Sequence, residues 1–196
     1  MILRLVRGRI LPGQHEALRG GVLASFSQVR TMRGLVQAHL ALRSSAEGNE
    51  FAVISTWETP DATMAAFGRE VNGVMTLPGV SDHLEFRTVE HFEVDESVVV
   101  HADARPAVAR IAIGAIELGD DVEVQQELRR RIPDLGRDVV EAAVGRRITD
   151  RMVEVAFVTL WSGRPEGRSL EEPLFPDVAE RYRTYSIEVY DEVFRP

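Results

Sequence analysis

With 196 residues, a net charge of −8 and no cysteine, the chain is long enough for one large domain or two small ones and excludes disulfides, thiol nucleophiles, iron–sulfur clusters and Cys-ligated zinc. All 23 basic residues are Arg, which also excludes a pyridoxal Schiff base, lysine-dependent aldol chemistry and a Walker A clamp. The excess of 31 acidic over 23 basic residues opposes non-specific phosphate binding, so nucleic acid is not expected as a partner.

The first stretch, MILRLVRGRILPG, alternates charge with apolar residues and lacks the uninterrupted apolar core of a signal peptide, and nothing downstream approaches 18 apolar residues in a row. A soluble, cytoplasmic protein with no membrane partner is expected. ILRLVRGRILPGQ (2–14) reads as a strand and a turn, followed by helix-period apolar residues at Leu18, Val22, Phe26 and Val29. LVQAHLAL (35–42) and FAVISTW (51–57) read as strands, DATMAAFGREV (61–71) as a helix, and FRTVEHFEV (86–94), rich in β-branched and aromatic residues, as a fourth strand. DESVVVHADARP (95–106) reads as a linker with a short extended piece at Val98 to Val100.

The same order then recurs. VARIAIGAIELGD (108–120) places Arg110 on Arg4, Gly114 on Gly8, Ile116 on Ile10 and Gly119 on Gly13. Val122, Leu128 and Ile132 mark a helix, VVEAAVGR (139–146) and VAFVTLW (155–161) the next strands, with Trp161 on Trp57, and YRTYSIEVY (182–190) the last. Where the first half has its second helix, SGRPEGRSLEEPLFP (162–176) carries three prolines and two glycines and reads as a long loop. The fold class is therefore α+β: two ferredoxin-like β-α-β-β-(α)-β repeats, at 1–94 and 107–196, joined by the 95–106 linker. A sheet with helices on one face needs cover on the other, and a second copy is the natural cover. The expectation is two sheets stacked face to face as an intrachain α+β barrel, for which a monomer is sufficient and a dimer is allowed.

This unit, with its third strand ending in Trp and a short helix after it, resembles the antibiotic biosynthesis monooxygenase family of the dimeric α+β barrel superfamily, in tandem form and over nearly the whole chain. The resemblance implies a small-molecule enzyme; the family includes cofactor-independent oxygenases of polyketide quinone formation and haem-degrading enzymes. In the quinone-forming type an Asn four residues before the Trp lines the pocket with it. Here Trp57 and Trp161 are kept, and the Asn positions hold Val53 and Phe157. The family's haem ligand is a His in the helix after the third strand, and larger haem-binding relatives carry it in the second half. Residues 61–75 contain no His and neither do 107–196, so no haem is expected, nor another cofactor.

Side chains two apart on a strand share a face. Leu3 and Leu5 form a uniformly apolar set expected to pack on the helices, which turns Arg4, and by analogy Arg110, toward the shared interior. On the second strand Gln37, His39 and Arg43 oppose the apolar Val36, Ala38, Leu40 and Leu42; on the third, Phe51, Val53, Ser55 and Trp57 share a face; on the fourth, Phe86, Phe92 and Val94 form the packing face, leaving Val89 and His91 opposite. The candidate site is thus His39 as a base, with Arg4, Gln37, Arg43, Ser55, Trp57, His91, Arg110 and Trp161 as ligand-binding residues. Two buried guanidinium groups need acids, water or an anion to offset their repulsion. Glu141 is the best-placed acid, and a small aromatic or anionic ligand is the expected partner. His83, Glu85, His91 and Glu93 are metal-type side chains, but a single strand splits them by face and spacing, so no metal site is expected.

Two functions stay open. One is a cofactor-independent monooxygenase that deprotonates an aromatic or polyketide-like phenol for attack by oxygen. The other is a non-catalytic small-molecule-binding or stress-associated protein that keeps the cavity. The Pro-rich stretch at 162–176 predicts one open cavity, nearer the first half.

Overall fold

The computed structural model describes residues 1–46, 48–67, 81–99, 103–150 and 152–195. In chain order its elements are β1 (Ile2–Ile10), α1 (His15–Val29), β2 (Leu35–Ser45), β3 (Gly48–Trp57), α2 (Pro60–Phe67), β4 (Leu84–Val99), β5 (Val108–Glu117), α3 (Asp121–Arg131), β6 (Val139–Ile148), β7 (Met152–Trp161), α4 (Pro176–Ala179), β8 (Thr184–Tyr190) and β9 (Glu192–Phe194). The architecture is mixed α+β on antiparallel sheet, and it divides into two compact units, Met1–His91 with Tyr190–Pro196 and Phe92–Val189. The end of the expected second helix (68–71) and Val100 lie outside the described residues, as do the side chains of Phe26 and Phe86.

In the first unit the strand order is β4-β1-β3-β2-β9. Cross-strand partners share a face. Arg4 and Ala38 both pair with Ser55, Val6 and Leu40 both pair with Val53, and Leu42 pairs with Phe51. This face packs on α1, where Leu18 and Val22, one turn apart, join Val6, Ile10, Leu40 and Phe51 in one buried cluster. Leu5 and His39 both pair with Ile54, and Leu3 with Thr56, so these lie on the opposite face. The expected assignment is therefore inverted: Arg4, not Leu3 and Leu5, faces the helix. The physical reason is that both faces are buried, with Leu3 and Leu5 as inaccessible as Leu40 and Leu42, so an apolar count along the strand does not tell one side from the other. β9 closes the β2 edge through Leu40, Ala41 and Leu42, and Phe194 packs on the cluster with the Arg19 guanidinium 4.9 Å from its ring.

In the second unit the order is β8-β5-β7-β6-β4. Residues 97–99 of the expected linker are strand, with Ser97, Val98 and Val99 of β4 paired to Ala143, Ala142 and Glu141. Arg110 and Ala142 both pair with Thr159, which reproduces the Arg4–Ser55–Ala38 row of the first unit. The register shift between Val139 and Glu141 likewise matches the one between Leu35 and Gln37. α3 buries Val124 and Leu128, four apart, whereas Val122, expected on the inner face, is 50% exposed because the helix phase set by that pair turns it outward. Between β7 and β8 the chain runs without regular structure to α4, with Leu170 and Val178 sunk into the same core as Val124, Leu128, Phe157 and Trp161. Arg131 at the end of α3 makes a two-pronged ion pair with Asp177 of α4, at 2.7 and 2.6 Å.

Gly114 of β5 lies under a ring. A Cβ at this position would stand 2.3 Å from the Tyr182 side chain, so only glycine lets the tyrosine lie on the strand. Gly114→Ala is expected to cost ~1–3 kcal/mol, the range for overpacking a filled core, and to lower the urea midpoint without changing the slope of the transition. Among the described residues, no helix is long and apolar enough to cross a membrane.

Candidate functional site

The rows on the helix-facing side of the first sheet run from Trp57 through Arg4–Ser55–Ala38 to Val6–Val53–Leu40 and then Phe51–Leu42. Polar groups are thus confined to one end. There the Trp57 indole N–H donates to Ser55 Oγ at 3.0 Å, and the Ser55 hydroxyl donates to the Arg4 carbonyl at 3.4 Å. Phe67, at the end of α2, stands edge-on to Trp57 with centroids 5.2 Å apart, and the Arg4 Cζ lies 3.9 Å from its ring centroid. Arg4 is therefore a cation seated on an aromatic face. It is 3% exposed, and loss of hydration pushes its pKa down to about 10, which leaves it charged at neutral pH.

Beside this polar end, between the sheet and α1, lies a cavity of about 780 Å³ of atom-free space counting its open mouth. Val6, Leu18, Val22, Leu40 and Phe51 form its apolar body, with Met32, Phe67 and Leu84 completing the wall. A pocket of this type, apolar with a few convergent polar groups, orients a small molecule by one end and buries the rest.

The second unit carries the corresponding residues in a different state. The Trp161 indole N–H donates to Thr159 Oγ1 at 2.9 Å, as Trp57 does to Ser55. Arg110 is fully buried; its Nε donates to the Leu170 carbonyl at 2.9 Å, and its Nη2 donates to the Glu172 carbonyl and to the Tyr185 hydroxyl oxygen, both at 3.2 Å. The Pro-rich segment thus meets the arginine with its own backbone. Phe175 of that segment stacks on Phe157, Tyr182 stacks on Tyr185, and the space left among them is about 270 Å³. Of these two spaces the one in the first unit is the larger.

Of the residues singled out from the sequence, Arg4, Ser55 and Trp57 come together at the first cavity, and Arg110 and Trp161 occupy the matching positions of the second unit. His39 is fully buried and adjoins the cavity, but its pairing with Ile54 puts its ring on the face away from Arg4. Gln37 and Arg43 share that other face; Arg43 is ion-paired to Glu50 and lies 5.1 Å from the Tyr190 ring. His91 is half-buried on β4 and does not line the cavity. Glu141 pairs with Leu160 and so faces away from Arg110, whose charge is met by carbonyl oxygens instead of the expected carboxylate. Among the described residues no three His, Asp or Glu side chains gather into a metal-holding group. Sequence reasoning missed Phe67, although an aromatic residue closing the helix after the Trp strand was a usable signal. It also missed the carbonyls of Leu170 and Glu172, for which there was none.

No family model matches the chain, and no curated protein sequence does. Solved structures do. A "putative monooxygenase" from Lactobacillus acidophilus NCFM superposes with a TM-score of 0.70 at 10% identity, covering 100% of this chain and 98% of its own. A protein of the same description from Fusobacterium nucleatum subsp. nucleatum ATCC 25586 gives 0.69 at 7% identity, covering 100% and 96%. An anthrone oxidase-like protein gives 0.62 at 11%, covering 99% and 92%. At identities this low the likeness shows the α+β fold alone.

Proposed function

We propose that the first-unit cavity binds a small aromatic, polyketide-like phenol or acid and that the chain oxidises it as a cofactor-independent monooxygenase. One observation carries this reading: a desolvated guanidinium, held on an aromatic ring, caps an otherwise apolar cavity. Such a cation lowers the pKa of a bound phenol or enol and holds the resulting anion. For a substrate with an activated CH₂, the first proton passes to water at the mouth, since His39 lies on the other face. The carbanion then bonds to dioxygen and the peroxide takes up a proton. Loss of the second C–H proton breaks the O–O bond, leaving a carbonyl and releasing water. The balance is CH₂ plus O₂ giving C=O plus H₂O, with no other reductant. The two repeats stacked in one chain as a barrel, closed within a cytoplasmic monomer, belong to the same reading.

Val53 supports a second reading. It lines the cavity at the position where the resemblance places an Asn, which fits a protein that binds such a molecule without oxidising it. Oxygen consumption with anthrone-type phenols, combined with mass spectrometry of the product, separates the two. The oxygenase reading expects uptake of one O₂ per product, and a product heavier by one oxygen and lighter by two hydrogens. Calorimetric binding without oxygen uptake establishes the binder instead, and no binding at all removes the cavity as a site.

A further inference from the structure

Arg110 is fully buried, and among the described residues its partners are all neutral: Nε donates to the Leu170 carbonyl, and Nη2 to the Glu172 carbonyl and the Tyr185 hydroxyl. The third nitrogen, Nη1, is buried and has no hydrogen-bond partner among those residues. Carbonyl and hydroxyl oxygens satisfy N–H groups, but they do not cancel a positive charge taken out of water. Space lies beside this charge. Ala112, two residues along β5 and so on the same face as Arg110, and Tyr185 itself line the space of about 270 Å³, together with Phe157, Phe175 and Tyr182. The Tyr185 hydroxyl oxygen accepts from Arg110, which leaves the hydroxyl hydrogen to be donated. Phe175, Tyr182 and Tyr185 are only half-buried, so a small solute has a way in.

We infer that the second unit binds a small monovalent anion, of chloride size, at Arg110 and Tyr185. The anion supplies what the carbonyls cannot, because it accepts from Nη1 and its charge offsets that of the guanidinium where screening by water is weak. A water molecule would satisfy the nitrogen and leave the charge. The rings set the size of the occupant: Phe175 is stacked on Phe157 and Tyr182 on Tyr185, which leaves room for an ion and not for a further ring. They also suit its sign at their edges, where the aromatic quadrupole is positive. All of these residues belong to the second unit, and the site does not depend on ligand binding in the first.

The test is urea unfolding of the full chain at fixed ionic strength while sodium chloride replaces sodium gluconate, whose anion is too large for the space. An anion that binds only the folded chain stabilises it by mass action, so above the dissociation constant each tenfold rise in chloride should multiply the folded-to-unfolded ratio about tenfold. Arg110→Met should abolish this response, and Arg4→Met should keep it. Tyr185→Phe keeps the ring but removes the second donor, and it should weaken chloride binding about tenfold, as loss of a hydrogen bond to a charged group predicts. Should Arg110→Met fail to fold, the chloride NMR line width decides, with excess broadening expected from the parent chain and less from Tyr185→Phe; equal broadening by the two overturns the site. Stability of the parent chain that does not respond to chloride overturns it as well, and water then satisfies Nη1. A response kept in folded Arg110→Met, or lost in Arg4→Met, puts the ion elsewhere and overturns the assignment to Arg110.

Discussion

Arg4→Met is expected to reduce kcat/KM, or ligand affinity if the chain only binds, on the order of 10–100-fold, the range for deleting a hydrogen-bonded charge that holds a ligand. The fold should survive. Methionine follows the path of the arginine stem in a cavity already lined by Val6, Leu18 and Met32, so no large void opens. Loss of the contact with the Phe67 ring is set against relief of the desolvation that pushes the Arg4 pKa down to about 10. These effects oppose each other, and the melting temperature should move by only a few degrees. Paired titration and thermal melts check both parts. Unchanged affinity with an unchanged melt would show that Arg4 plays no part in binding, and the cavity would then have no charged group identified for choosing a ligand.

How far the molecule could be read from its sequence depends on which facts are local. The succession of strands and helices along each half follows from alternation, turn glycines and the two Trp-ended strands, all properties of short windows, and the two halves match down to the register shifts at Leu35/Gln37 and Val139/Glu141. Which face of a strand meets the helix is not local when both faces are apolar. Leu3 and Leu5 read as the helix-packing set, yet Arg4, Val6 and Ile10 hold that position, and the same inversion carried His39 toward the site and Glu141 toward Arg110. DESVVV contains a β-branched run, and its pairing with β6 depends on residues some forty positions away. β9 joins β2 across still more of the chain, which no window contains. The partners of Arg110 are the extreme case. Any residue type could present a carbonyl there, so neither Leu170 nor Glu172 announces the role through its side chain.

That dependence on backbone makes Arg110→Met the sharper stability experiment. The substitution removes three hydrogen bonds at once, the one to the Leu170 carbonyl buried and those to the Glu172 carbonyl and the Tyr185 hydroxyl part-buried. Stranding the buried Leu170 carbonyl costs about 1–3 kcal/mol, the two part-buried contacts cost less because water can replace the arginine there, and some relief comes from taking a desolvated charge out of the core, so a net loss of about 1–3 kcal/mol is expected in urea unfolding. The loss should be local before it is global. The segment carries exposed Arg168, and once its contacts to Arg110 are gone it keeps buried Leu170, the Phe175–Phe157 stack at its far end and a single Arg168–Leu135 hydrogen bond. Trypsin should therefore cut after Arg168 markedly faster in Arg110→Met than in the parent chain, and no faster in Arg4→Met, which lies over the Phe67 ring in the first half. If Arg110→Met matched Arg4→Met in both stability and cleavage, the segment would be held without its arginine.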